Sequence, residues 1–158
     1  VISRTLFEIY RESEAALGLP VGALQWRGPF DPAGDPLWRR QQAGEITERD
    51  YWRERAREVG ALLGEDWDDM QTLVIRARGA EPARVIRPEA IDAVERVRRA
   101  GLRLAILSNE LDLFYGEGLR SRLPLLERFE CIVDATHTGV LKPDPRAYHD
   151  CLQRRGLP

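Results

Sequence analysis

Leu102-Arg103-Leu104-Ala105-Ile106-Leu107-Ser108-Asn109 and Thr138-Gly139-Val140-Leu141-Lys142-Pro143-Asp144-Pro145 are the two stretches that decide the fold. The first is an apolar run that stops at a hydroxyl and an amide. A buried parallel strand delivers polar side chains to the carboxyl edge of its sheet in this way. The second stretch sets an ammonium beside a proline turn. A hydroxyl and an ammonium at neighbouring strand ends suit a phosphoryl group or a carboxylate, because one donates a hydrogen bond and the other brings a compact positive charge. Composition sharpens this reading: Lys142 is the one lysine among 24 basic residues, and all the others are arginine. A lysine in so arginine-rich a chain fits a place where a forked guanidinium would not. Chance survival on a surface loop is the alternative.

Working outward, Pro88 opens a helix bearing Ile91, Val94 and Val97. Gly101 ends it and a strand over 102–107 begins at once, which is half of an α/β repeat. Residues 111–126 are expected to be helical in two pieces, broken before Pro124. Residues 129–133 form the next strand. Asp144 caps a last helix that starts at Pro145 and carries Ala147, Tyr148, Cys151 and Leu152 to Gly156. Two strands do not finish a parallel sheet whose central member needs neighbours on both sides, so the sheet is expected to be incomplete.

Upstream the pattern changes to helices throughout. One is expected over 4–17, with Leu6, Ile9, Tyr10 and Leu17 on a stripe and Gly18 as the stop. After a loop-rich stretch, Asp35 before Pro36 starts a short helix ending at Gly44. Thr47 then caps the best helix of the chain, with Asp50 completing a capping box and Tyr51, Trp52, Ala56, Val59, Leu62 and Leu63 as its apolar face. Another starts near Asp66 and carries Trp67, Met70, Leu73, Val74 and Ala77 to Gly79. Residues 5–80 hold all four tryptophans.

At 158 residues the chain is about one domain's length. With 43% hydrophobic and 32% charged residues it has the balance of a globular protein. A net charge of −2 supplies no large basic field, so nucleic acid is excluded as a partner. No run approaches the ~18 apolar residues that span a bilayer, so a membrane is excluded too. Cys131 falls in an expected strand and Cys151 in an expected helix. Reduced thiols, and with them a cytoplasmic location, are expected.

Ser108-Asn109 at a strand end, followed by Gly139, Lys142-Pro143-Asp144-Pro145 and Tyr148, resembles the second and third motifs of the haloacid dehalogenase-like hydrolase superfamily. The motifs lie within residues 85–158, and over residues 5–80 the resemblance is architectural only. It implies an α/β fold: an incomplete, Rossmann-like parallel sheet core with an α-helical cap inserted after the first strand. The segments would be a remnant after the first core strand (1–4), the helical cap (5–84) and a partial core (85–158). The family's nucleophilic aspartate would lie a few residues before Val1, and the acidic residues that hold Mg²⁺ about a strand beyond Pro158. The chain as written would therefore be inactive alone.

The activity implied is that of a phosphatase acting on a small phosphorylated metabolite through an aspartyl-phosphate. By this match Ser108 would hydrogen-bond a phosphoryl oxygen and Lys142 would offset charge on the nucleophile and the transferring group. Asn109 would orient backbone or substrate. A 2-haloacid dehalogenase, which uses a similar Ser, Asn and Lys frame without Mg²⁺, is the enzyme alternative, and a catalytically silent binding module is the other. A two-component receiver domain also sets a hydroxyl and a Lys-Pro at strand ends, but the gap from Ser108 to Lys142 is too long for it, and the helical front half has no place in that fold. On the cap, Arg39 and Arg40 beside Trp38, with Trp52 on the next helix, are candidates for selecting substrate. Core packing for the tryptophans and solvated faces for the arginines account for them as well. His137 is expected at the surface, and neither it nor His149 has a Cys or Asp at metal-ligand spacing. The acidic cluster Glu65, Asp66, Asp68 and Asp69 is read as favourable charge at a helix start.

Overall fold

The computed structural model describes residues 2–78, 82–116 and 118–157. The chain divides into two units, Arg4–Glu81 and Val1–Ser3 with Pro82–Pro158.

The regular structure among the described residues of the first unit is all helical, joined by loops: α1 (Tyr10–Leu17), α2 (Pro36–Gln42), α3 (Glu48–Leu63) and α4 (Met70–Arg78). Helix α1 packs on α4, α3 on α4 and α2 on α3. Thr47 accepts the Asp50 backbone N–H while the Asp50 side chain accepts that of Thr47, the capping box expected from the sequence. Two starts come later than the apolar spacing suggests. Thr5 and Glu8 bond each other's backbone N–H, closing a separate turn ahead of α1, whose first residue is Tyr10. Asp69 accepts the Thr72 N–H, so α4 begins at Met70 and leaves Trp67 in the preceding loop. That loop doubles back tightly on α3 at Gly60, where a Cβ would stand 2.7 Å from the Glu65 carbonyl oxygen. Gly79, the expected end of α4, lies outside the described residues.

The core of this unit is aromatic. Phe7 packs 5.3 Å from both Trp38 and Trp52, and Tyr51 lies 5.1 Å from Trp52 (ring centroids). Leu73, Val59, Ala56 and Val74 are fully buried beside them. Leu62, expected on the apolar face of α3, is on the stripe of Tyr51, Arg55 and Val59 but is 53% exposed, because in the last turn of the helix that stripe lines an open cavity beside Trp26. A buried ion pair sits inside the unit. Asp35 caps α2 through the Trp38 N–H, accepts the N–H of Gly28, and receives Arg55 Nη2 at 2.5 Å.

The second unit contains α5 (Pro88–Arg99), β1 (Ala105–Ser108), α6 (Leu111–Tyr115), α7 (Leu119–Arg122), β2 (Cys131–Asp134), α8 (Ala135–Thr138) and α9 (Pro145–Arg154). Strands β1 and β2 pair in parallel, with Ala105 opposite Cys131 and Ser108 opposite Asp134. Helix α9 packs on both strands. Leu123 and Leu126 form a buried cluster against Ile106, Leu111, Ile132 and their neighbours. Strand β1 starts three residues later than expected and Leu102 is 62% exposed. The Leu102 N–H is bonded to the Val97 carbonyl, closing α5 around Gly101 at φ 74°, so it takes no part in the ladder. Asp144 accepts the Arg146 N–H and caps α9, as the proline after it suggests. Cys131 and Cys151 are free and half-buried. No helix among the described residues is long and apolar enough to cross a membrane.

Candidate active site

At the carboxyl end of the two strands the sequence changes from apolar to polar twice, at Ser108, the last residue of β1, with Asn109 after it, and at Asp134, the last residue of β2. Asn109 spans the backbone of Lys142: its Oδ1 accepts the Lys142 N–H at 2.7 Å and its Nδ2 donates to the Lys142 carbonyl at 3.2 Å. A side-chain amide is the one group that can accept and donate across a single residue in this way. The Lys142 ammonium donates to the Leu107 carbonyl at 2.7 Å, on the residue just before Ser108. An ammonium carries three donors, so two remain for an anion. Ser108 Oγ accepts the Glu110 N–H at 3.4 Å, which leaves its own hydrogen to donate. All three residues are half-buried.

Asp134 was not singled out by the sequence reading, which ended β2 at Val133. Its side chain is 3% exposed. One oxygen accepts the N–H groups of Leu111 and Thr136, both at 3.1 Å, and the other accepts that of Asp112 at 2.6 Å. Asp112 in turn meets His137 Nε2 at 2.7 Å. His137 is exposed, as expected, but the absence of acidic partners near it does not hold: the fold brings Asp112 and Asp134 to it, with ligand atoms of the three within 4.8 Å of one another. The polar residue that ends an apolar run, which singled out Ser108, was present at Asp134 as well.

The other sequence candidates lie in the helical unit. Trp52 is buried in the aromatic core, where packing accounts for it. Arg39 and Arg40 are exposed, and Arg40 pairs with Glu45 at 3.4 Å. The acidic cluster makes specific contacts in place of a general field. Glu65 bonds Trp67 Nε1 and Arg76, Asp68 pairs with Arg57, and Asp69 caps α4.

The family model for haloacid dehalogenase-like hydrolases matches residues 6–158. The chain belongs to this family. Among curated proteins it is 39% identical over 71 residues to acyl-CoA dehydrogenase family member 10 of Mus musculus, a match covering 44% of this chain and 6% of the relative. It is 31% identical over 70 residues to Phosphatase MT3486 of Mycobacterium tuberculosis, covering 44% of this chain and 32% of that protein. The chain thus spans less than a third of the length of each of these relatives in the matched region. Its fold is the mixed α/β arrangement, with a two-stranded parallel sheet, that the resemblance implies.

Hydrolases of the haloacid dehalogenase-like family commonly use Mg²⁺, an ion that takes six oxygen ligands at ~2.1 Å and keeps several waters. The trio of Asp112, Asp134 and His137 does not fit it. Asp134 is committed to three backbone N–H groups, and His137 offers nitrogen. No step is assigned to a metal held by these residues.

Proposed function

We propose that this chain is part of a hydrolase that removes a phosphoryl group from a small phosphorylated metabolite. The observation that carries the reading is the seating of Lys142: its backbone is gripped by Asn109 and its ammonium is anchored on the carbonyl next to Ser108. This joins the one lysine of the chain to the end of β1. Membership of a hydrolase family and similarity to a protein named as a phosphatase support the same reading.

In the proposed reaction an aspartate outside residues 1–158 attacks phosphorus, and the substrate oxygen leaves with the bonding pair of the broken P–O bond and takes a proton from water to become the free alcohol. Water then hydrolyses the aspartyl-phosphate to inorganic phosphate. Ser108 donates its hydroxyl hydrogen to a phosphoryl oxygen, and the two remaining N–H groups of Lys142 offset charge as it develops. Asn109 holds Lys142 in place. Mg²⁺ dependence is proposed for the whole enzyme, with ligands outside this chain. Arg39 and Arg40 are proposed to select substrate, with Trp52 as packing within their own unit.

The test is turnover of p-nitrophenyl phosphate by the whole protein, with and without Mg²⁺. Ser108→Ala and Lys142→Ala are each expected to lower kcat by ~10²- to 10³-fold, the usual cost of one preorganised donor. Unchanged turnover in both removes them from the site. Chloride release from a 2-chloro acid in place of phosphate release makes the protein a dehalogenase, and neither activity leaves a binding module.

A further inference from the structure

We propose that Asp134 is a positioning residue of this site, a clamp that fixes the segment carrying Ser108 and Asn109 against the segment leading to Lys142. The inference rests on the reading of those three residues as the site. Asp134 stands opposite Ser108 in the strand register. It heads α8, and an N-cap needs only the bond to the Thr136 N–H. The bonds to Leu111 and Asp112, 23 and 22 residues away in sequence, are not required by capping. They draw the start of α6 onto the end of β2. Two further links join the same segments beyond it, Asp112 to His137 and Asn109 to Lys142. Asp134 is the innermost of the three and the most buried. Its carboxylate makes the bond to the Asp112 N–H a short one, 2.6 Å, and that buried donor has no water to turn to if the carboxylate is removed. A misplacement of about 1 Å at reacting groups costs ~10²-fold in rate, so a clamp at this position reaches the chemistry without touching substrate.

Asp134→Ser separates the two roles, since the hydroxyl still caps α8 through Thr136 and is too short to span to Leu111 and Asp112. The first readout is amide hydrogen exchange by NMR on the whole protein. The Lys142 N–H, which Asp134 does not touch, is expected to exchange at least ~10-fold faster, while the Val59 N–H in the helical unit keeps its protection. Unchanged protection at Lys142, with Leu111 and Asp112 released, overturns the proposal. The second readout is p-nitrophenyl phosphate turnover by the whole protein. kcat is expected to fall ~10²-fold with KM within about threefold, and adding Asp134→Ser to Lys142→Ala should cost nothing further. A lowered melting temperature with unchanged kcat is the mark of a merely structural residue and also overturns it. If the unmodified protein hydrolyses no phosphomonoester, the phosphatase reading falls and the exchange experiment still decides the clamp. Asp134→Asn, which keeps volume and one acceptor oxygen, replaces Asp134→Ser with the same readouts should the serine variant not fold.

Discussion

The two units place their buried polar groups differently. In the helical unit Asp35, Arg55 and Glu14 lie inside the packing and bond one another or nearby backbone. Asp35 meets Arg55, and Glu14 accepts the N–H groups of Gly22 and Leu24. Around them Leu73, Val59, Ile9 and Tyr51 are almost wholly buried. In the α/β unit the corresponding groups, Asp134, Asn109 and Lys142, stand at one edge of a sheet and bond the loops on which they sit. The strand behind them, Ile106 and Leu107 of β1, is only half-buried. Polar side chains in the first unit stabilise a core, whereas in the second they hold a surface in one shape. That contrast separates scaffold from candidate site and can be broken by substitution.

The largest effect is expected at Asp35. Asp35→Ala leaves the buried Arg55 with only the half-exposed Glu58 as a charged partner and strips the Trp38 and Gly28 N–H groups of their acceptor, so it should cost about 3–5 kcal/mol in urea denaturation followed by tryptophan fluorescence. All four tryptophans lie in the helical unit, so the signal reports on that unit alone. A double replacement by apolar residues of similar size should recover much of the loss. Acid should act on the same place. Burial by itself would raise the Asp35 pKa, but the N–H groups of Trp38 and Gly28 and the charge of Arg55 outweigh it and hold the carboxyl below its usual range. Glu14 is lowered likewise, against its burial, by Arg11 and the N–H groups of Leu24 and Gly22. A depressed folded-state pKa contributes stability that is present above the unfolded value, ~4, and is lost as pH falls through the folded one. The urea midpoint should therefore drop steeply below about pH 4. A midpoint that stays flat there would remove these carboxylates from the account.

Next in size is a paired comparison of leucines. Leu73 is fully enclosed, so Leu73→Ala leaves a cavity its surroundings cannot close and should cost about 4 kcal/mol. Leu126 is packed against partly buried neighbours that can move in, and Leu126→Ala should cost about 2–3 kcal/mol. Equal costs by calorimetry would mean that the two interiors are equally rigid.

How much of this was legible in the sequence follows from whether the signal is local. The helix caps at Asp35, Thr47 and Asp144 were readable because cap and first turn are adjacent in the chain. The end of β1 was readable because Leu107 gives way to Ser108 within one residue. The start of β1 was not: Leu102 continues the apolar run, yet its N–H is taken by α5. Trp52 read equally as binding surface or core, and only the ring packing around Phe7 shows which face of α3 it joins. The Asp112, Asp134 and His137 cluster is joined by strand pairing and by bonds over more than twenty residues, which no local spacing records.

A smaller effect is expected from Lys142→Arg. The charge stays, but the single ammonium that reaches the Leu107 carbonyl is replaced by a planar fork of different length and donor direction. Turnover by the whole protein should fall ~10- to 100-fold, which is about 1.4–2.7 kcal/mol of barrier. An arginine variant of full activity would mean that positive charge alone suffices, and that the singular lysine carries no geometric information.

The smallest effect tests whether the helical unit stands on local signals as well as on packing. Thr47→Ala removes the oxygen that accepts the Asp50 N–H and leaves the Asp50 carboxylate with the Thr47 backbone N–H and Arg53. The cost should be about 1 kcal/mol, the usual value for an N-cap. Thr47→Ser keeps the oxygen and gives up one methyl at an exposed position, so it should lie within about 0.3 kcal/mol of the unmodified chain. The serine variant gives the result its meaning. If it loses as much as alanine does, the methyl and not the cap was stabilising α3, and the sequence signature would have named the right residue for the wrong reason. If it loses nothing, the cap sets the start of α3, and with it where Tyr51 and Arg55 begin to face Asp35. A local bond worth about 1 kcal/mol would then fix the phase of a buried network worth several times as much.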